Sequence, residues 1–250
     1  MNSVIPLIKK ETLEDFLTAR GVFSLIVASV VLSAFSILLV SNIELSLLDN
    51  AQAVYLMVSI ILALASLVAI IQGSDGFAGE RDRATLETLM LTPMTGQGLA
   101  AAKLIAMLFS WLILFVLCIP YLWAVGSTGQ NLWAAVEYLS LMGTLLVLIF
   151  GGLALTLSAK VKSFRGVLSI GLTVFLFSGS PVLLGPALRQ SAVGQMIDLI
   201  NPFADALNTL DSVVIDSQGI SFQVIRLTIM ICYALGVLWV LYTATKRVEL

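Results

Sequence analysis

No histidine occurs anywhere in the 250 residues. That removes the side chain that most often serves as general base or metal ligand near neutral pH. Cysteine is nearly as scarce: Cys118 and Cys232 are the two occurrences. Both lie inside apolar runs, so no disulfide framework or C-x-x-C site is readable, and both are expected as small buried hydrophobes. Charge is the third shortage. Asp, Glu, Lys and Arg make up 11% of the chain, against about 25% in a soluble domain. So little charge cannot cover a water-facing surface. Finally, no Gly-Lys pair occurs, and a phosphate-cradling G-x-x-x-x-G-K-[ST] loop requires one. No catalytic, cofactor-binding or metal residues are expected, and the chain is not expected to be an enzyme by itself.

What the chain has in quantity is hydrocarbon. Residues of the hydrophobic class make up 59%, with a mean hydropathy of +1.05. A helix crossing the hydrocarbon core needs about 20 apolar residues. Charge-free intervals of that length fall at 21–43, 50–74, 104–136, 138–159, 166–188 and 227–245. The third is too long for one span and holds the polar stretch GSTGQN (126–131), so its helix is ended near Val125. The expected fold is an all-α integral membrane protein, one domain over 1–250. Its six transmembrane helices are placed at 21–42, 52–72, 104–125, 137–158, 166–187 and 226–245. The acids Glu11, Glu14 and Asp15 ahead of a long first run mark a retained span rather than a cleaved signal.

Orientation follows from Lys and Arg, which collect on the cytoplasmic side. With the N-terminus inside, the inner segments hold Lys9, Lys10, Arg20, Arg81, Arg83, Lys103, Lys160, Lys162, Arg165, Lys246 and Arg247, and the outer segments only Arg189 and Arg226. Both termini are therefore expected in the cytoplasm, and the chain in the cytoplasmic (inner) membrane. No span carries a charge near its centre, which argues against a carrier driven by an ion gradient.

Three segments outside the spans have a pattern. Within 1–20, Leu13, Phe16, Leu17 and Arg20 share a helical face opposite Glu11, Glu14 and Thr18, the mark of an amphipathic interfacial helix. The inner segment 73–103 reads as two helical pieces divided by Pro93. In the first, Leu86, Leu89 and Met90 face one way and Glu80, Arg83 and Glu87 another. Gly96 and Gly98 are expected to loosen the connection to the next span. The outer segment 188–225 reads as two short helices divided by Asn201-Pro202, lying at the outer interface or dipping partway in. Pro181, Gly185 and Pro186 interrupt the preceding span, and broken helices at membrane depth are tolerated where they line a cavity or pack on protein.

GERDRATLETLMLTP with the later Lys103 resembles the inner-loop signature of ABC-2 type membrane-spanning subunits, the permease halves of ATP-driven exporters. The match is carried by Glu80, Arg81, Thr85, Leu86, Glu87, Leu89, Thr92, Pro93 and Lys103. The surface helix, six spans and long outer segment with Asn201-Pro202-Phe203 are similar to the same family. The resemblance implies that the loop is a coupling helix docking on an ATPase, with Glu80, Arg81, Arg83, Leu86, Glu87, Leu89 and Pro93 as contacts. It likewise implies an outer gate at Pro181, Pro186, Asn201, Pro202 and Phe203. ATP and magnesium would then sit on two copies of a separate P-loop ATPase, and a second permease subunit, identical or related, would complete the pathway in the bilayer. No nucleic-acid partner is expected. An ATP-independent carrier or channel, or a scaffold that recruits a cytoplasmic protein through the same loop, are the alternatives.

Overall fold

The structure, a computed structural model, describes residues 12, 19–41, 50–85, 95–127, 131–180, 194, 196 and 200–246. Among them there is no strand. The helices are α1 (Ala19–Ser41), α2 (Asn50–Asp82), α3 (Gly96–Gly126), α4 (Leu132–Lys160), α5 (Phe164–Gly179), α6 (Pro202–Val214) and α7 (Val224–Thr245). Five of them, α1 to α4 and α7, are long and apolar enough to cross a membrane, while α5 is apolar but shorter. The chain is an all-α, multi-pass membrane protein.

α2 is the axis of the bundle. Val54, Met57, Val58, Ile61, Leu62, Ala65, Ala69 and Ile70 are buried along it, and α1, α3, α4, α5 and α6 all pack on it. α1 and α7 lie outside, with Val22, Phe23, Ile26 and Val30 of α1 and Ile225, Leu235 and Trp239 of α7 exposed. In water such faces would be aggregation-prone; in a bilayer they meet hydrocarbon. Cys118 is buried as expected, but Cys232 is exposed. It sits on this outer face of α7, where an apolar solvent rather than the core takes up the thiol.

Two π-helical turns, Asp75–Gly79 in α2 and Val147–Gly151 in α4, sit at the crossing of these helices. Their backbones touch there: a Cβ on Gly73 would lie 2.5 Å from the Gly151 carbonyl oxygen and 2.9 Å from the Ala154 Cβ. Only hydrogen fits. Small residues let membrane helices approach this closely, so that packing replaces the missing hydrophobic drive.

The bundle has one end rich in charge, around Glu80, Lys103 and Lys160, and one poor in it. Trp123 and Trp133 pair edge to face, centroids 6.4 Å apart, near the charge-poor end of α3 and α4. Exposed Trp239 and Tyr242 lie near the opposite end of α7. Aromatic girdles of this kind mark bilayer interfaces. Along α3, Lys103 and Trp123 are separated by about 30 Å, the thickness of the hydrocarbon core.

Three boundaries differ from the sequence-based expectation. α2 does not stop near residue 72 but continues through the π turn to Asp82. α3 begins at Gly96, capped by Thr95, whose side-chain oxygen accepts from the Gly98 amide. Gly96 and Gly98 therefore form a helical first turn instead of loosening the chain. α4 begins at Leu132. Charge-free intervals understate α2 and α3 because Glu80 and Lys103 near their ends are paired within the bundle, whereas α4 extends past an exposed Glu137. The amphipathic segment 1–20 falls outside the described residues, apart from Thr12, Ala19 and Arg20, which are helical.

Candidate functional site

At the charged end, α2, α3, α4 and the start of α5 are locked together by the residues Ser74–Thr85. Beneath them lies a small apolar cluster of Phe77, Leu99, Ala100, Ala102, Leu155, Ala159 and Leu241. Ser158 of α4, fully buried, inserts its hydroxyl into the α2 ladder. It accepts from the Phe77 and Ala78 amides at 2.8 and 2.7 Å and donates to the Ser74 carbonyl at 3.1 Å. Ser74 and Ala78 would pair with each other in a regular α-helix. An inserted side chain is one of the recognised causes of such a break, and here it joins two helices.

Arg81 reaches the end of α4. Its Nη1 donates to the Ser158 and Val161 carbonyls at 3.0 and 3.1 Å, and its Nη2 to the Ala159 carbonyl at 2.8 Å. The last carbonyls of a helix have no partner inside it, and a cation there is favoured by the helix dipole. The neighbouring Asp82 does the converse for α5: its Oδ2 accepts from the Phe164 amide at 3.0 Å, beside the Ser163 cap that accepts from Gly166. Two consecutive residues of α2 thus hold both sides of the α4–α5 turn.

Glu80 is 7% exposed and Lys103 8%. Their charged groups lie 3.6 Å apart, with Arg83 3.7 Å from the same Glu80 oxygen and 2.9 Å from Asp75. The Thr85 hydroxyl also donates to the Glu80 carboxylate. α2 then ends in a Schellman arrangement: the Thr85 amide bonds the Glu80 carbonyl and the Ala84 amide the Arg81 carbonyl. Ala84 takes the left-handed conformation, φ 56°.

Of the residues expected to touch an ATPase, Glu80 is buried and Arg81 half-buried with its guanidinium on α4, whereas Arg83 is exposed. Leu86, Glu87, Leu89 and Pro93 fall outside the described residues, as do Pro181 and Pro186 of the expected gate. The remaining gate residues open α6. Asn201 is its N-cap, its Oδ1 accepting from the Phe203 and Ala204 amides at 3.1 and 3.3 Å. The same side chain ties α6 to α5: Oδ1 accepts from the Ser178 hydroxyl at 2.6 Å, and Nδ2 donates to the Ser178 carbonyl at 2.8 Å. Pro202 occupies the first helical turn, where its missing amide costs nothing. Phe203 stacks edge-on against Phe175, which meets Phe150.

These contacts set the depth of α6. Val214 at its end accepts from Asn131 at the start of α4, and Ala206 from Tyr138 two turns further along. α6 is about 20 Å long, so it enters from the charge-poor end and stops inside the bundle. Asp205, 1% exposed, faces Arg226 of α7 across 3.5 Å.

The sequence profile of the ABC-2 family transporter protein matches residues 8–247. The chain belongs to the ABC-2 transporter family. It is therefore a membrane permease component of an ABC-type transporter, as its inner-loop residues led one to expect. No curated protein matches the chain.

Several residues that build the permease were not singled out by sequence reasoning: Ser158, Asp82, Tyr138, Asn131, Asp205 and Arg226. Asp205 carried a legible signal, since an acid in the first turn of an Asn-Pro-capped amphipathic helix belongs near its N-terminus. Ser158 and Tyr138 carried none. Their partners are 68 or more residues away in sequence.

Proposed function

We propose that this permease is the membrane-spanning half of an ATP-driven exporter whose ATPase is a separate polypeptide docked at the charged end. The observation that carries the reading is the framing of residues 86–94. On one side α2 is held through Asp82 by Arg81, Glu80 and their partners, and on the other α3 starts at Gly96, capped by Thr95. A protein bound to that segment therefore sits between two helix ends that are each anchored in the bundle.

The charged end carries most of the chain's Lys and Arg, which supports a cytoplasmic position for it and for both termini in an inner membrane. With no Gly-Lys pair, nucleotide and magnesium belong on the partner. Two ATPase chains and a second permease subunit complete the assembly, and ATP-driven closure of the ATPases switches access across the bilayer. Arg83, Leu86, Glu87, Leu89 and Pro93 are the docking contacts; Glu80 and Arg81 shape the surface from within.

Co-expression with candidate P-loop ATPases tests the proposal. Arg83→Glu combined with Glu87→Lys is expected to abolish co-purification while the permease remains folded in detergent. An ATPase that binds the doubly reversed permease as well as the native one would overturn the docking site.

A further inference from the structure

The hydrogen bonds of Ser158, Arg81 and Asp82 have a consequence beyond docking. From these contacts we infer that the end of α2 and the α4–α5 turn form one rigid joint, with Ser158, Arg81 and Asp82 as positioning residues that transmit the ATPase stroke to α4 and α5. The inference rests on the proposed ATPase-coupled function and adds the route by which the stroke leaves α2.

The geometry leaves little freedom. A helix end fixed through a single contact pivots about it. Here α4 is held at three carbonyls by one planar guanidinium and, at Ser158 itself, by a hydroxyl threaded into the α2 backbone about one turn before Arg81. A planar fork loses little rotamer freedom per bond formed, and a lysine in its place would be a point charge unable to span the three acceptors. On the far side of the turn, Asp82 holds the first amide of α5. Rotation of the α2 end therefore carries α4 and α5 with it. α5 in turn holds the N-cap of α6 through Ser178 and Asn201. The chain of contacts runs from the charged end to the base of the inserted helix without a flexible link among the described residues.

Asp82→Ala removes the α5 contact at an exposed position, whereas Asp82→Asn keeps an acceptor there. Ser158→Ala removes the hydroxyl's bonds to the α2 backbone. In the assembled complex, Asp82→Ala and Ser158→Ala are expected to bind the ATPase and hydrolyse ATP at native levels, with transport per ATP lowered about tenfold, a typical coupling between sites. Asp82→Asn is expected to restore it. Native transport per ATP in both alanine variants would overturn the joint, as would loss of ATPase binding, which would make these residues docking contacts.

A second arm needs no ATPase. Spin labels at Arg83→Cys and Lys162→Cys, in a Cys118→Ala, Cys232→Ser background, report the distance between the α2 end and the α4–α5 turn in the purified permease. A narrow distribution that broadens with Asp82→Ala supports the joint; an unchanged distribution overturns it. Absence of any ATPase partner for the native permease would instead remove the proposed function while this arm still reads.

Discussion

Gly73 and Gly236 look alike in the sequence, each a glycine within an apolar helix, and the structure gives them opposite meanings. At Gly73 the α4 backbone occupies the place of a side chain, whereas nothing lies within 4 Å of a Cβ on Gly236. Gly73→Ala forces α2 and α4 apart and is expected to lower the stability of the purified permease by about 1–3 kcal/mol, as overpacking does. Gly236→Ala is expected to leave thermal unfolding in detergent unchanged or raise its midpoint slightly, because alanine favours the helix. Equal losses for the two would show that α2 and α4 do not cross where the structure places them. The same contrast separates Arg81 from Arg83. Two residues apart in one charged run, one caps a helix and the other meets solvent.

Among the elements, α6 is short and largely buried, and polar contacts fix its place in the bundle. Asn201→Ala removes both the cap and the tie to Ser178, and Tyr138→Phe removes the bond to the Ala206 carbonyl. Each is expected to cost about 1 kcal/mol and to speed hydrogen exchange of the α6 amides while those of α2 stay protected. Uniform acceleration across α2 and α6 would mean that α6 is not a separately tethered element. The existence of α6 was legible from Asn201-Pro202 and the apolar spacing that follows; its depth was not. Periodicity records which face is apolar, and the apolar face of α6 meets α4 and α2 as readily as it would meet lipid. For the same reason the apolar intervals located the spans, yet missed the ends of α2 and α3. There Glu80 and Lys103 neutralise one another at a distance that only the folded chain brings about.

For the molecule as a whole, sidedness is the property on which the docking site depends. A cysteine at Arg83→Cys, with Cys232→Ser to remove the exposed thiol, is expected to react with a membrane-impermeant maleimide in inside-out vesicles and to be protected in intact cells. Labelling from the cell exterior would put the charged end on the wrong face and remove the case for an ATPase there. Within the bundle, the wide turn at Asp75–Gly79 sets how every later residue of α2 is aimed. In a helix each residue advances the direction of projection by about 100°, so the extra residue of a π turn re-aims everything after it. Were that surplus deleted, α2 would regain its regular pitch, but Arg81 would swing a quarter-turn or more away from the carbonyls it now collects. The spacing from Ser74 to Arg81 thus behaves as a phase setting: substitutions inside it change local packing, whereas a change in its length disconnects one end of the bundle from the rest.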